Sequence, residues 1–174
     1  MTGPAPSVSQ QVIEAARARG LTVGSAESLT GGSVGASLVE VPGASAVYRG
    51  TITAYAVDVK HTVLGVGADI LDTPGPVSAE VATAMAHGAR RVLSADLAVA
   101  TTGVAGPEPH GDHAPGTVWI AVATADGDWA RCLHCDGGRA HVRERARSAA
   151  LELAWAVLTD AQSARAWQSG TQLG

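Results

Sequence analysis

A chain of 174 residues with 46 % apolar and 16 % charged side chains is long enough for one buried core and too apolar to be disordered. Its formal charge of −4 excludes a general attraction to nucleic acid or to an anionic membrane surface. No apolar run approaches the roughly 20 residues that cross a bilayer, and Met1 to Val8 shows neither the basic nor the apolar region of a signal peptide. A soluble, cytoplasmic protein is therefore expected.

Val12, Ile13 and Ala16 mark a first helix that ends near Gly20. Leu21-Thr22-Val23-Gly24 reads as a buried strand, and Val34 and Leu38, at i and i+4 before Pro42-Gly43, read as a helix. Between them lies Ser25-Ala26-Glu27-Ser28-Leu29-Thr30-Gly31-Gly32, where an apolar run gives way to hydroxyls and paired glycines. Val47 to Tyr55 alternates and is rich in β-formers, predicting a strand that runs into a short helix over Val57 to Leu64. Gly75-Pro76-Val77-Ser78 opens a longer helix with Val81, Met85, Ala89 and Val92 on one face. Asp96 to Thr102 is a buried strand that breaks into Gly103-Val104-Ala105-Gly106-Pro107. Thr117 to Thr124 and Trp129 to Cys135 form a predicted hairpin around Ala125-Asp126-Gly127-Asp128. Val142, Ala146, Ala149, Leu153 and Val157 are the core stripe of the last helix, and 161–174 loses the period and reads as a frayed tail. The chain contains no Phe, and its Ala, Val, Leu and Gly favour helices packed closely on a sheet. This order predicts a single three-layer α/β/α domain over 1–160, around a mixed, mostly parallel central sheet.

Ligands in such sheets sit beyond the C-terminal ends of strands, where Ser28 to Gly32, Tyr55 to Lys60 and Thr101 to Pro107 converge. A strand that delivers Ser28 to a helix start puts a nucleophile-type side chain beside unpaired N–H groups, suited to an oxyanion or a phosphate. Equally, Ser28 or Thr30 serves as an ordinary N-cap. A Ser nucleophile needs a base, and Lys60 fits once burial lowers its pKa; otherwise it is a surface lysine. The Tyr55 hydroxyl is expected beside the Lys60 amine, or packed in the core. Thr102 supports the site or makes a strand-end hydrogen bond. Arg139 and Arg143, one turn apart, share a helical face and clamp a phosphate or pair with Glu144 or Glu152. Cys132-x-x-Cys135 and His110-x-x-His113 resemble zinc ligands, but i and i+3 on a strand point to opposite faces and no second Cys pair exists, so no metal is expected. The chain has no Walker and no Rossmann glycine motif, which argues against an NTPase and a dinucleotide oxidoreductase.

Ala26-Glu27-Ser28-Leu29-Thr30-Gly31-Gly32, Thr53-Ala54-Tyr55 through Lys60, Gly75-Pro76-Val77-Ser78, Gly103-Val104-Ala105-Gly106-Pro107 and Gly116-Thr117-Val118-Trp119 together resemble the C-terminal domain family of the competence/damage-inducible protein CinA. The resemblance runs from about Val8 to Leu158, and the form expected from it is the stand-alone one, without the additional N-terminal domain of larger relatives. It implies a nicotinamide mononucleotide deamidase that hydrolyses the carboxamide to nicotinate mononucleotide and ammonia without metal or cofactor. Ser28 is then the nucleophile and Lys60 the base, supported by Tyr55 and Thr102. Thr30, Gly31, Gly32, Gly103, Gly106, Arg139 and Arg143 are the expected substrate contacts. The chain departs from the family at Ala56-Val57, where Asn is usual, at Leu29, where Cys is common, and at Glu108-Pro109-His110, where glycine dominates. The expected partner is a small nucleotide, with no membrane or general nucleic-acid binding and a homo-oligomeric assembly. The alternative is a non-catalytic module that binds nucleotide or protein in a competence or DNA-damage response.

Overall fold

The computed structural model describes residues 5–160; the tail expected at 161–174 lies outside them. The elements run α1 (Val8–Arg19), β1 (Val23–Glu27), α2 (Ser33–Val39), β2 (Tyr48–Thr53), α3 (Val57–Thr62), α4 (Ala68–Asp72), α5 (Ala79–Leu93), β3 (Leu97–Gly103), β4 (Thr117–Ala123), β5 (Asp128–His134) and α6 (Arg139–Thr159). One five-stranded sheet has the order β2-β1-β3-β4-β5. β1 pairs parallel with β2 and β3, whereas β3-β4 and β4-β5 are antiparallel. Four strands therefore share a direction and β4 alone opposes them.

Side-chain alternation divides the core into two. Leu97, Val99, Val118, Ile120 and Val122 point to the layer formed by α1, α2 and α6. Ala98, Ala100, Ala121 and Ala123 point to the other layer, where α5 brings its own alanines, Ala82, Ala86 and Ala89. Small residues on both sides let α5 lie close to the sheet, as the composition predicted. All five predicted stripe residues of α6 are buried.

The first strand starts and ends later than its apolar run suggests. Val23–Glu27 is buried throughout, Ser25 and Glu27 included; these polar residues hid the strand's second half. The α5 stripe holds at Val81, Met85 and Ala89, but Val92 is 49 % exposed. In that last turn Leu93 packs against the core instead. Neither α4 nor a short 3-10 turn at Ala44–Ala46 was legible in the sequence.

Topology places the site. From β1 the chain moves to β2 on one side, and from β2 it crosses past β1 to β3 on the other. Such a reversal opens a crevice at the strands' C-terminal ends. Because β5 runs with β1 to β3, its C-terminal end, and so the start of α6, reaches the same edge.

Candidate active site

Ser28 follows directly on β1, and its N–H donates to the Thr101 carbonyl of β3 at 3.0 Å. Lys60 lies in α3, only 1 % exposed, and its amine reaches back across the strand end. Nζ is 3.0 Å from Ser28 Oγ, 2.8 Å from the Ala54 carbonyl and 3.1 Å from the Tyr55 carbonyl. No carboxylate contacts Nζ among the described residues. Burial accordingly pulls the Lys60 pKa down from its ordinary 10.5 to about 8. A neutral amine has two N–H donors and one lone pair. With both donors held by the two carbonyls, the lone pair faces Ser28 Oγ. Ser28 and Lys60 are thus brought together, with the amine aimed by backbone rather than by a side chain.

The helix start expected at Ser28 lies further on. α2 begins at Ser33 and its N-cap is Gly32, so neither Ser28 nor Thr30 is the N-cap. The Ser33 N–H donates to the Thr30 carbonyl, and the N–H groups of Gly32, Val34 and Gly35 are taken by Glu27, which is fully buried at the end of β1. Glu27 Oε2 accepts from Gly32 N at 2.8 Å and Val34 N at 3.1 Å. Oε1 accepts from Gly35 N at 2.8 Å and Thr51 Oγ1 at 2.9 Å. The chain thus supplies its own anion to the positive end of α2, which corrects the expectation that those donors await a phosphate. Sequence reasoning assigned Glu27 no role; a carboxylate inside an otherwise uncharged strand was the available signal.

The other expected site residues divide. Thr102 lines the cleft and its hydroxyl donates to the Pro76 carbonyl at 2.6 Å. Gly103 and Gly106 line it too; a Cβ on Gly103 would stand 2.6 Å from the Thr117 carbonyl, so the backbone approach there excludes a side chain. Arg139 lines the cleft, its Nη1 donating to the Gly106 carbonyl at 3.0 Å and its Nη2 to the Tyr55 hydroxyl at 3.2 Å. Tyr55 is 62 % exposed, so it is not core. Its carbonyl, not its phenol, meets Lys60, which corrects the expected hydroxyl–amine contact.

Arg143 is turned away from the expected phosphate role. Its Nε and Nη2 donate to the Leu29 and Thr30 carbonyls, each at 2.9 Å, and it does not line the cleft. Glu144 pairs with Arg147 rather than with Arg139 or Arg143. Thr30 is fully buried against Thr101, Oγ1 to Oγ1 at 2.7 Å. Gly31 and Gly32 carry φ of +64° and +96°, a conformation the turn demands of glycine, and neither lines the cleft.

The cleft that results holds about 320 Å³ and presents Ser28, Lys60, Thr102 and Arg139 together. Glu108 and His110, which the sequence reading left out of the site, join its lining. His110 and His113 are tied by backbone bonds across a tight loop. Among the described residues no group of three His, Cys, Asp or Glu is placed to hold a metal, and no helix is long and apolar enough to cross a membrane.

Comparison with known proteins follows the same lines. A CinA-like protein from Frankia casuarinae is 45 % identical over 135 residues, covering 78 % of this chain and 31 % of the relative. Another, from Geobacter metallireducens, is 41 % identical over 144 residues, covering 82 % and 35 %. The chain thus spans about a third of the length of these curated relatives. Among solved structures, a competence-damaged protein (CinA) superfamily protein from Klebsiella pneumoniae superposes with a TM-score of 0.84 at 29 % identity, covering 87 % of this chain and 95 % of that one. The competence/damage inducible protein CihA from Agrobacterium tumefaciens gives 0.80 at 34 % identity, over 88 % and 96 %. The profile of the CinA C-terminal domain matches residues 5–158. With nearly the whole described fold covered by that match, the chain belongs to the CinA C-terminal domain family.

Proposed function

We propose that this chain is a metal-independent amidohydrolase that converts nicotinamide mononucleotide to nicotinate mononucleotide and ammonia. One observation carries the reading: a buried lysine with a lowered pKa, 3.0 Å from a serine hydroxyl at the mouth of a cleft. At a pKa of about 8, about one Lys60 amine in ten is neutral at pH 7 and half at pH 8.

Ser28 Oγ attacks the carboxamide carbon while its proton passes to Lys60 Nζ. The ammonium then gives that proton to the departing nitrogen, the C–N bond breaks, and ammonia leaves an acyl-serine. A water molecule, deprotonated by the neutral Lys60, attacks the acyl carbon. The acid is released and the proton returns to Ser28 Oγ. Thr102, whose hydroxyl hydrogen is committed to Pro76, offers its oxygen to an amide N–H. Arg139 supplies the cation for the remote phosphate, and remote binding of this kind positions the reacting centre.

The names of solved relatives speak of competence and damage, which favours a second reading as a binding module in such a response. One assay separates the two. Purified chain incubated with nicotinamide mononucleotide should release ammonia and nicotinate mononucleotide, and Ser28→Ala should not. Absence of ammonia release from the folded wild-type chain would refute the amidase.

A further inference from the structure

The turn that carries Ser28 is accounted for bond by bond. Ser28 N–H is held by Thr101, Gly31 N–H donates to the Ser28 carbonyl at 3.1 Å, and Gly32 N–H goes to Glu27. The Leu29 and Thr30 carbonyls both accept from the forked guanidinium of Arg143, each at 2.9 Å, and the Thr30 carbonyl accepts more weakly from the Ser33 N–H at 3.3 Å. Among the described residues, the N–H groups of Leu29 and Thr30 are left without an acceptor. Roughly nine in ten buried backbone donors or more are paired. Leu29 is 4 % exposed, directly follows the nucleophile and lines the cleft beside it. That is where acyl-transfer enzymes place an oxyanion donor.

A path connects this donor to Arg143. Within one planar peptide group the C=O and N–H point in opposite directions. Arg143 Nη2 donates to the Thr30 carbonyl, and the N–H on the other side of that peptide belongs to Gly31. Gly31 N–H donates in turn to the Ser28 carbonyl, and the N–H across that second peptide belongs to Leu29. The guanidinium, together with the Ser33 N–H, therefore holds the Thr30–Gly31 peptide, which in turn holds the Ser28–Leu29 peptide through the Gly31 N–H, and each bond in such a chain polarises the next. We infer that the Leu29 N–H is the oxyanion donor of the reaction proposed above, and that Arg143 is its positioning residue through the two peptide groups between them.

This rests on Ser28 acting as the nucleophile. As the Oγ–C bond forms and the proton moves to Lys60, the carbonyl π pair moves onto oxygen, and the Leu29 N–H donates to that oxygen without losing its proton. Arg143 touches no reacting atom.

The test uses a fluorophosphonate, which needs no knowledge of the true substrate. Ser28 Oγ bonds to phosphorus, fluoride leaves with its electron pair, the serine proton passes to Lys60, and the phosphoryl oxygen takes the oxyanion position. The labelling rate of the full chain is followed by intact mass from pH 6 to pH 10, with Ser28 confirmed by peptide mass and folding by thermal melting. Arg143→Gln is expected to label at least about tenfold more slowly, while the midpoint of its pH profile stays with that of the wild type. A merely structural disturbance would displace that midpoint, because it would loosen Lys60 as well. Arg143→Lys, which keeps the charge but cannot fork to both carbonyls, should fall between the two, and it carries the same readouts should the Gln variant not fold. A folded variant that labels within twofold of wild type, or one whose slowing follows a shifted midpoint, would overturn the inference. Wild-type chain that leaves Ser28 unlabelled would instead refute the Ser28–Lys60 reading on which it rests.

Discussion

Lys60 is the only lysine in the chain, so its protonation is open to direct measurement. Chain grown with [ε-13C]lysine carries a single labelled side chain. Its chemical shift should titrate with a midpoint near 8, where an ordinary lysine titrates near 10.5. That difference is a penalty of about 3 kcal/mol for charging the amine in place. The sign follows from linkage: between pH 8 and 10.5 the folded chain has shed the proton and the unfolded chain has kept it. Stability therefore rises with pH in that window, and the full penalty is present below it. In urea unfolding, the advantage of wild type over Lys60→Met should grow by about 2 to 3 kcal/mol between pH 7 and pH 10. The same proton controls the base. The neutral fraction rises from about 1 % at pH 6 to half at pH 8, so kcat/KM should climb roughly fiftyfold over that interval and level off above pH 9. A lysine midpoint above 10, or a stability difference flat with pH, would refute the argument that burial tunes this amine.

Ser28→Ala should abolish turnover while substrate Kd, measured calorimetrically, changes little, since the nucleophile acts in the transition state. Lys60→Arg should be inactive as well, because a guanidinium keeps its proton near neutral pH; turnover near wild type would remove Lys60 as base. Arg139→Ala should lower kcat/KM on the mononucleotide by roughly ten- to a hundredfold, about 1.5–3 kcal/mol, and hardly change hydrolysis of the riboside. Equal losses on both substrates would show that Arg139 acts by tethering Gly106 and Tyr55 rather than by meeting the phosphate. Glu27→Gln turns one buried acceptor into a donor facing backbone N–H groups of α2, and should cost about 2–4 kcal/mol in chemical unfolding. An unchanged unfolding midpoint would mean that the start of α2 does not depend on that anion.

Much of the fold was readable because its signals are local. The α6 stripe at Val142, Ala146, Ala149, Leu153 and Val157 repeats at helical spacing, and the β4-β5 hairpin brackets a turn with Asp and Gly. The resemblance named the chemical pair for the same reason, since Ser28 and Lys60 each sit in a short recognisable segment. What those residues touch was another matter. Spacing from Tyr55 to Lys60 suggested a phenol beside the amine, yet the strand end turns that phenol outward to Arg139 and leaves the backbone carbonyl in its place. Helical spacing put Arg139 and Arg143 on one face, and both do reach the strand ends; only the fold decided that the first meets the cleft and the second the Ser28 turn. Glue such as Glu27 is invisible in one dimension, because a carboxylate earns burial only when donors from α2 and Thr51 of β2 close around it in space. Periodicity encodes which face of an element is apolar, so the sequence by itself determined the layers and their order. The partners of polar groups depend on hydrogen bonds between segments as far apart as Leu29 and Arg143, and distances and angles of that kind exist only once the tertiary structure has formed.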